Sequence, residues 1–257
     1  MRFGIQLCTL GAYADPRETV RAAGAAEAAG WEALFVWDHL AWASSGRPSA
    51  DPWVTLGACA AATERILLGT AVTPLPRRRP QVVAQQIASL SLASGGRVIF
   101  GVGSGIAPEL DAFGEASSDR HRAALLDEGL EVVARLLAGE RVDHHGEHFT
   151  VDGLTLAPLP LRPVPIWVGG NSPGARRRAA RYDGWLADSS DQERNRFSPD
   201  EVRERIDGLD LRDVAFIGYS DGADLAAYEA AGVTWWVENV WGDPTHVLPR
   251  IEAGPPR

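Results

Sequence analysis

Along the chain, two kinds of apolar pattern take turns. The first is a short run, apolar almost throughout: RFGIQL (2–7), ALFVWD (33–38), RILLGTAV (65–72), RVIFGVG (97–103), PIWVGG (165–170), GWLAD (184–188), DVAFIG (213–218) and TWWVENV (234–240). Such runs, bounded by Gly, Pro and Asp, read as strands buried on both faces. The second recurs at helical spacing, as Leu126, Leu130, Val133 and Leu137 do within 119–139. Helices are predicted over 16–30, 51–63, 80–94, 119–139, 173–182, 198–206, 222–231 and 244–252. Pro16 opens the first of these, Gly30 closes it, and Gly95-Gly96 closes the third.

The alternation breaks once, at ERVDHHGEHFTVDGLTLAPLPLRP (140–163), which reads as a short hairpin and a Pro-rich return. Eight strands alternating with eight helices in this length predict a (β/α)8 TIM barrel with a hairpin insertion before strand five. The competing architecture is an open doubly wound sheet. It is disfavoured because GVGSGI (101–106) places Ile106 where the dinucleotide fingerprint needs its third glycine. No repeat or linker divides the chain, so one domain over 1–257 is expected.

A barrel gathers its chemistry at the C-terminal ends of its strands. That rule selects Asp38-His39, Thr70-Ala71-Val72, Gly103-Ser104-Gly105, Gly169-Gly170-Asn171-Ser172, Asp188-Ser189 and Glu238-Asn239. Asp38-His39 is the foremost pair, since an imidazole moves protons near neutrality and a carboxylate orients polar groups; the plain alternative is a loop cap beside a space-filling His. GGNSPG (169–174) suits helix capping and equally a phosphate at a helix start. Arg77-Arg78-Arg79 reads as a solvated loop or as a landing patch for an anionic tail. Of nine tryptophans, most are expected in the core, with Trp42 placed in the pocket.

Composition narrows the functions. The 257 residues carry a net charge of −9, against nucleic acid as the main partner. Every basic residue is Arg, so lysine Schiff-base chemistry is excluded. Cys8 and Cys59 read as small buried hydrophobes of a reducing, cytoplasmic protein. No leader-like segment is visible at the N-terminus and no apolar run spans a bilayer. DHHGEH (143–148) lacks H-E-x-x-H spacing and lies in the hairpin, so no metal site is expected there. No G-x-S-x-G elbow occurs.

Taken together, FVWDHL (35–40), residues 68–105, residues 119–149, PVPIWVGGNSPGARRRAARYDGW (163–185) and the tail with GVTWWVEN resemble the luciferase-like flavin-dependent oxidoreductases. The resemblance implies a TIM barrel that holds coenzyme F420, a deazaflavin, or alternatively FMN, in its mouth, and a homodimer. It implies catalytic roles for Asp38 and His39, which match the Asp-His pair of the deazaflavin-using branch, with Trp42 near, though not at, the place of an active-site Trp. It assigns Thr70-Ala71-Val72 to the back of the ring, often at a cis peptide without proline, Gly103-Ser104-Gly105 to the pocket wall, and Gly169–Ser172 to the cofactor phosphate. The sequence departs from the sugar-phosphate dehydrogenases of this group. Ile106 stands where they carry a proton-donating Glu, Glu109 fits a helix-starting pattern, and no Lys is present to grip a sugar phosphate. The region between strands six and seven is also trimmed. Two functions follow: an oxidoreductase or monooxygenase acting on a small organic substrate, or a degenerate barrel serving as a non-catalytic binding or accessory protein.

Overall fold

The computed structural model describes residues 1–40, 46–115, 118–191 and 194–256. The eight predicted strands are present as β1 (Arg2–Leu7), β2 (Ala33–Val36), β3 (Leu67–Thr70) continued by β4 (Thr73–Pro74), β5 (Val98–Gly103), β8 (Ile166–Gly169), β9 (Gly184–Asp188), β12 (Asp213–Gly218) and β13 (Trp235–Val240). All pair in parallel, and β1 closes the sheet by pairing with both β2 and β13. The insertion is the antiparallel pair β6 (Arg141–His145) and β7 (Thr150–Thr155), as the pattern at 140–163 predicts. A second, unpredicted pair, β10 (Ser190–Asp191) and β11 (Arg194–Asn195), rises from the end of β9.

The helices are α1 (Pro16–Ala29), α2 (Pro52–Ala62), α3 (Pro80–Ser94), α4 (Ala107–Ala112), α5 (Asp119–Leu137), α6 (Pro173–Ala179), α7 (Pro199–Ile206), α8 (Leu225–Ala230) and α9 (Pro244–Glu252). Their starts are chemically marked. Asp15, Asp51, Ser118, Ser172, Ser198 and Asp224 each accept a backbone N–H of the first turn, and Ser198 with Glu201 completes a capping box. Gly30 ends α1 at φ 91°, a left-handed conformation that a residue with a Cβ adopts at a cost. α4 is the helix that sequence patterning misses. It is six residues long, and APELDA offers too few apolar positions to show a period.

Period-two alternation along each strand builds two cores. Ala33, Phe35, Ile99, Trp167, Leu186, Ile217, Trp235 and Val237 point inward and fill the barrel. Trp167 stacks between Phe35 and Trp235, with both ring centroids 5.4 Å away. Leu34, Val36, Phe100, Val168, Trp185 and Trp236 point outward and meet the helices. The inward tryptophans plug the barrel below its mouth. The space left at the mouth lies at the C-terminal ends of the strands.

Candidate functional site

A cavity of about 290 Å³ opens at those ends. Gln6 of β1, Trp37, Asp38 and His39 after β2, Ala71, Val72 and Pro74, Gly103 to Ile106 after β5, Glu109 of α4, Gly169 to Asn171 after β8, and Asp188 of β9 line it. Five of the six strand ends singled out by position alone thus converge on one space. Thr70, Ser172, Ser189, Glu238 and Asn239, also singled out, do not line it. Thr70 is fully buried, and its hydroxyl donates to the Gly101 carbonyl at 2.7 Å. Ser172 is exposed and caps α6. Trp42 lies outside the described residues. Trp37, not singled out for the pocket from sequence, does line it and stands edge-on to the His39 ring at 5.5 Å.

The wall of the cavity is shaped by small residues. The peptide between Ala71 and Val72 is cis, and the Gln6 amide donates to the Ala71 carbonyl at 2.8 Å. A Cβ on Gly103 or on Gly169 would come within 2.7 Å of the Val72 side chain. Only glycine at both places lets Val72 sit between β5 and β8, so the floor stays flat. On the far rim, the Asn171 amide donates to the Asp188 carbonyl at 2.7 Å, which fixes its orientation. Its Oδ1 is buried without a hydrogen-bond partner.

On the near rim stands a buried ionic cluster. Asp38 is 2% exposed. It receives Arg78 Nε at 3.0 Å and Nη2 at 2.8 Å, together with Arg77 Nη2, which also donates to the Asp38 carbonyl at 2.8 Å. Arg77 reaches across with Nη1 to Glu109 Oε2 at 2.8 Å. The same oxygen lies 3.1 Å from His39 Nδ1, and Glu109 Oε1 accepts the Leu40 N–H. Two carboxylates and two guanidiniums are therefore interlocked beneath His39, a balance that makes charge burial tolerable.

This arrangement corrects two expectations. Arg77 and Arg78 form neither a solvated loop nor a patch for an anionic tail: the Arg77 side chain is 3% exposed, and both are spent on Asp38 and Glu109. Glu109 is more than a helix-starting residue. It is 2% exposed and brings a carboxylate into the pocket even though Ile106 holds the position where one was sought. The signal available in sequence was an unmatched charge count: two arginines beside one aspartate at a strand end call for a second acid.

The other candidates are structural. Glu238 accepts the Trp236 Nε1–H at 2.9 Å and backs onto Arg250 at 3.2 Å. Ser189 is fully buried and accepts the Phe197 N–H. Burial pushes the Cys8 thiol up to about 11 and Cys59 to about 12, so neither is a thiolate nucleophile near neutrality. In the hairpin, Asp143, His145 and Asp152 bring ligand atoms within 4.8 Å of one another on an exposed face, remote in the fold from the cavity.

A closed parallel barrel with its cavity and its buried charges at the C-terminal strand ends is the architecture of TIM-barrel enzymes. The chain belongs to the luciferase-like monooxygenase family, whose model matches residues 1–220. It is 39% identical over 180 residues to the F420-dependent glucose-6-phosphate dehydrogenase of Nakamurella multipartita, covering 68% of this chain and 52% of that protein. It is 38% identical over 176 residues to the F420-dependent hydroxymycolic acid dehydrogenase of Mycobacterium tuberculosis, covering 66% and 48%. The chain thus spans about half the length of these curated relatives. Among solved structures, an F420-dependent secondary alcohol dehydrogenase with an F420-acetone adduct superposes at TM-score 0.79 with 20% identity, over 96% of each chain, a likeness of fold. The monooxygenase RslO1 from Streptomyces bottropensis superposes at TM-score 0.72 with 26% identity, over 90% of this chain and 76% of that one.

Proposed function

We propose that the chain is a coenzyme F420-dependent oxidoreductase that acts on a small, uncharged organic substrate by hydride transfer, with FMN-dependent oxygenation as the second reading. The observation that carries it is the cavity itself. One wall is flat and glycine-lined around Ala71 and Val72, one rim carries an orphaned Asn171 Oδ1, and the other presents His39 above a neutralised ionic cluster. These features fit a planar ring with a hydroxyl-rich side chain. Glycines at 103 and 169 keep a flat surface beneath the ring, and an amide oxygen held by Asp188 suits a hydroxyl or N–H donor. When bound, a deazaflavin supplies hydride acceptance and donation, and the protein supplies position, exclusion of water and proton handling. Gln6, Ala71, Val72, Gly103, Ser104, Gly105, Gly169, Gly170 and Asn171 would hold it. His39 would face the substrate, and Asp38 acts here as the anchor of Arg77 and Arg78. F420 is favoured because relatives at 39% and 38% identity bear its name.

The substrate preference follows from charge. Among the described residues lining the cavity, none is Arg, and residues 41–45 read Ala-Trp-Ala-Ser-Ser. A sugar-phosphate substrate would therefore find no guanidinium fork among them. The apolar lining of Trp37, Val72, Ile106 and Ile217 suits a neutral alcohol or ketone. The test is a paired fluorescence titration with F420 and FMN, followed by turnover with secondary alcohols and with glucose 6-phosphate. Micromolar F420 binding with alcohol turnover supports the proposal. Tight binding of FMN alone transfers it to the oxygenating reading, and absence of both overturns it.

Two finer features belong to the same proposal. A cytoplasmic location agrees with two free cysteines, one of them buried. Pairing of two chains through α2 and α3 agrees with the shallow apolar groove of Trp53, Val54, Leu90 and Ala93, where Val54 is 70% exposed. Light scattering on Val54→Glu against wild type tests the pairing.

A further inference from the structure

Glu109 has a geometry that its place in the sequence does not announce. Its carboxylate is enclosed by donors. Arg77 Nη1 and the Leu40 N–H can only donate, and each points at one of its oxygens. Oε2 also lies 3.1 Å from His39 Nδ1. A carboxylate oxygen so placed accepts, which puts the imidazole proton on Nδ1. The Leu40 contact ties the same carboxylate to the main chain one residue beyond His39, so ring and backbone are held by one group.

We infer that Glu109 is a positioning residue: it holds a proton on His39 Nδ1, so that Nε2 is the nitrogen that exchanges a proton with the substrate. The inference rests on the oxidoreductase reading for the identity of that substrate, but not for the tautomer. In the oxidising direction the hydroxyl O–H bond breaks and its proton passes to Nε2. A bound oxidised deazaflavin would take up the C–H hydrogen with its electron pair, leaving a C=O bond. In the reducing direction Nε2 returns the proton to the forming alkoxide. Arg77, Asp38 and Arg78 act one step further back by holding Glu109 where the ring needs it.

The decisive measurement is long-range nitrogen–proton NMR of the histidine side chains in the full chain, without cofactor. His39→Gln identifies the His39 signals among the six histidines. In the neutral form of the ring the proton is expected on Nδ1, and a neutral ring protonated mainly at Nε2 overturns the inference even if no variant folds. In Glu109→Gln the Nδ1–H population should fall, and Glu109→Asp should restore part of it. With a substrate in hand, Glu109→Gln should lower kcat by about 10²-fold, the scale of a misplaced general base, with KM changed less than about threefold. The double variant should be no slower than His39→Gln alone; additive losses would show that Glu109 does not act through His39. Failure to bind F420 together with an Nδ1–H ring would remove the cofactor reading and leave this inference standing. F420 binding with an Nε2–H ring would do the reverse.

Discussion

Two regions of the molecule combine histidines with carboxylates, and they differ in every physical respect. At the barrel mouth, Asp38, Glu109 and His39 meet two arginines under a cavity, nearly removed from water. In the β6–β7 hairpin, Asp143, His145 and Asp152 converge on solvent, with the His145 side chain 66% exposed. His144 beside them is tied down by Glu128 of α5. Written as sequence, DHHGEH looks richer in chemistry than FVWDHL. The structure inverts that ranking. Charges in water are screened and keep their hydration, while charges at a strand end must find partners, and those partners fix atoms in place.

The comparison can be broken most sharply at Asp38. Asp38→Ala leaves Arg78 without its bidentate partner and Arg77 with Glu109 and the main-chain carbonyl of residue 38. A loss of about 3–5 kcal/mol is expected, the cost of an uncompensated buried charge. A urea midpoint equal to that of wild type would mean the guanidiniums re-pair or reach water. His39→Ala removes no member of the Arg–carboxylate lattice. It should keep the fold and lower turnover about 10²–10⁴-fold, and unaltered turnover would take His39 out of the mechanism.

Glu128 sharpens the contrast from the other side. Burial pushes its carboxyl up, but the bond from His144 and the N–H groups of Phe149 and His148 outweigh burial and hold it below the ordinary value of 4.5. A depressed folded pKa contributes stability that is present above the unfolded value and lost as pH falls through the folded one. Glu128→Gln should therefore cost about 1–3 kcal/mol near neutrality and lose stability less steeply below pH 4.5 than wild type. Calorimetry across pH 3–7 measures both. The smallest effect is expected at His145→Ala, where melting temperature and turnover should stay at the wild-type values. A loss of turnover there would show that the hairpin takes part in the reaction and dissolve the distinction between the two clusters.

The sequence by itself determined the architecture. Inward and outward sets such as Phe35 against Leu34, or Trp235 against Trp236, follow from a period of two, and the cap at Ser172 follows from local chemistry. It also named most of the cavity lining, because a parallel barrel turns strand ends into neighbours without any further information. What only tertiary structure decided is who neutralises whom. Arg77 and Glu109 are separated by 32 residues, and α4 is too short to announce itself by periodicity. Electrostatic partnership depends on distance in space and on loss of water, and neither quantity is carried by residue order.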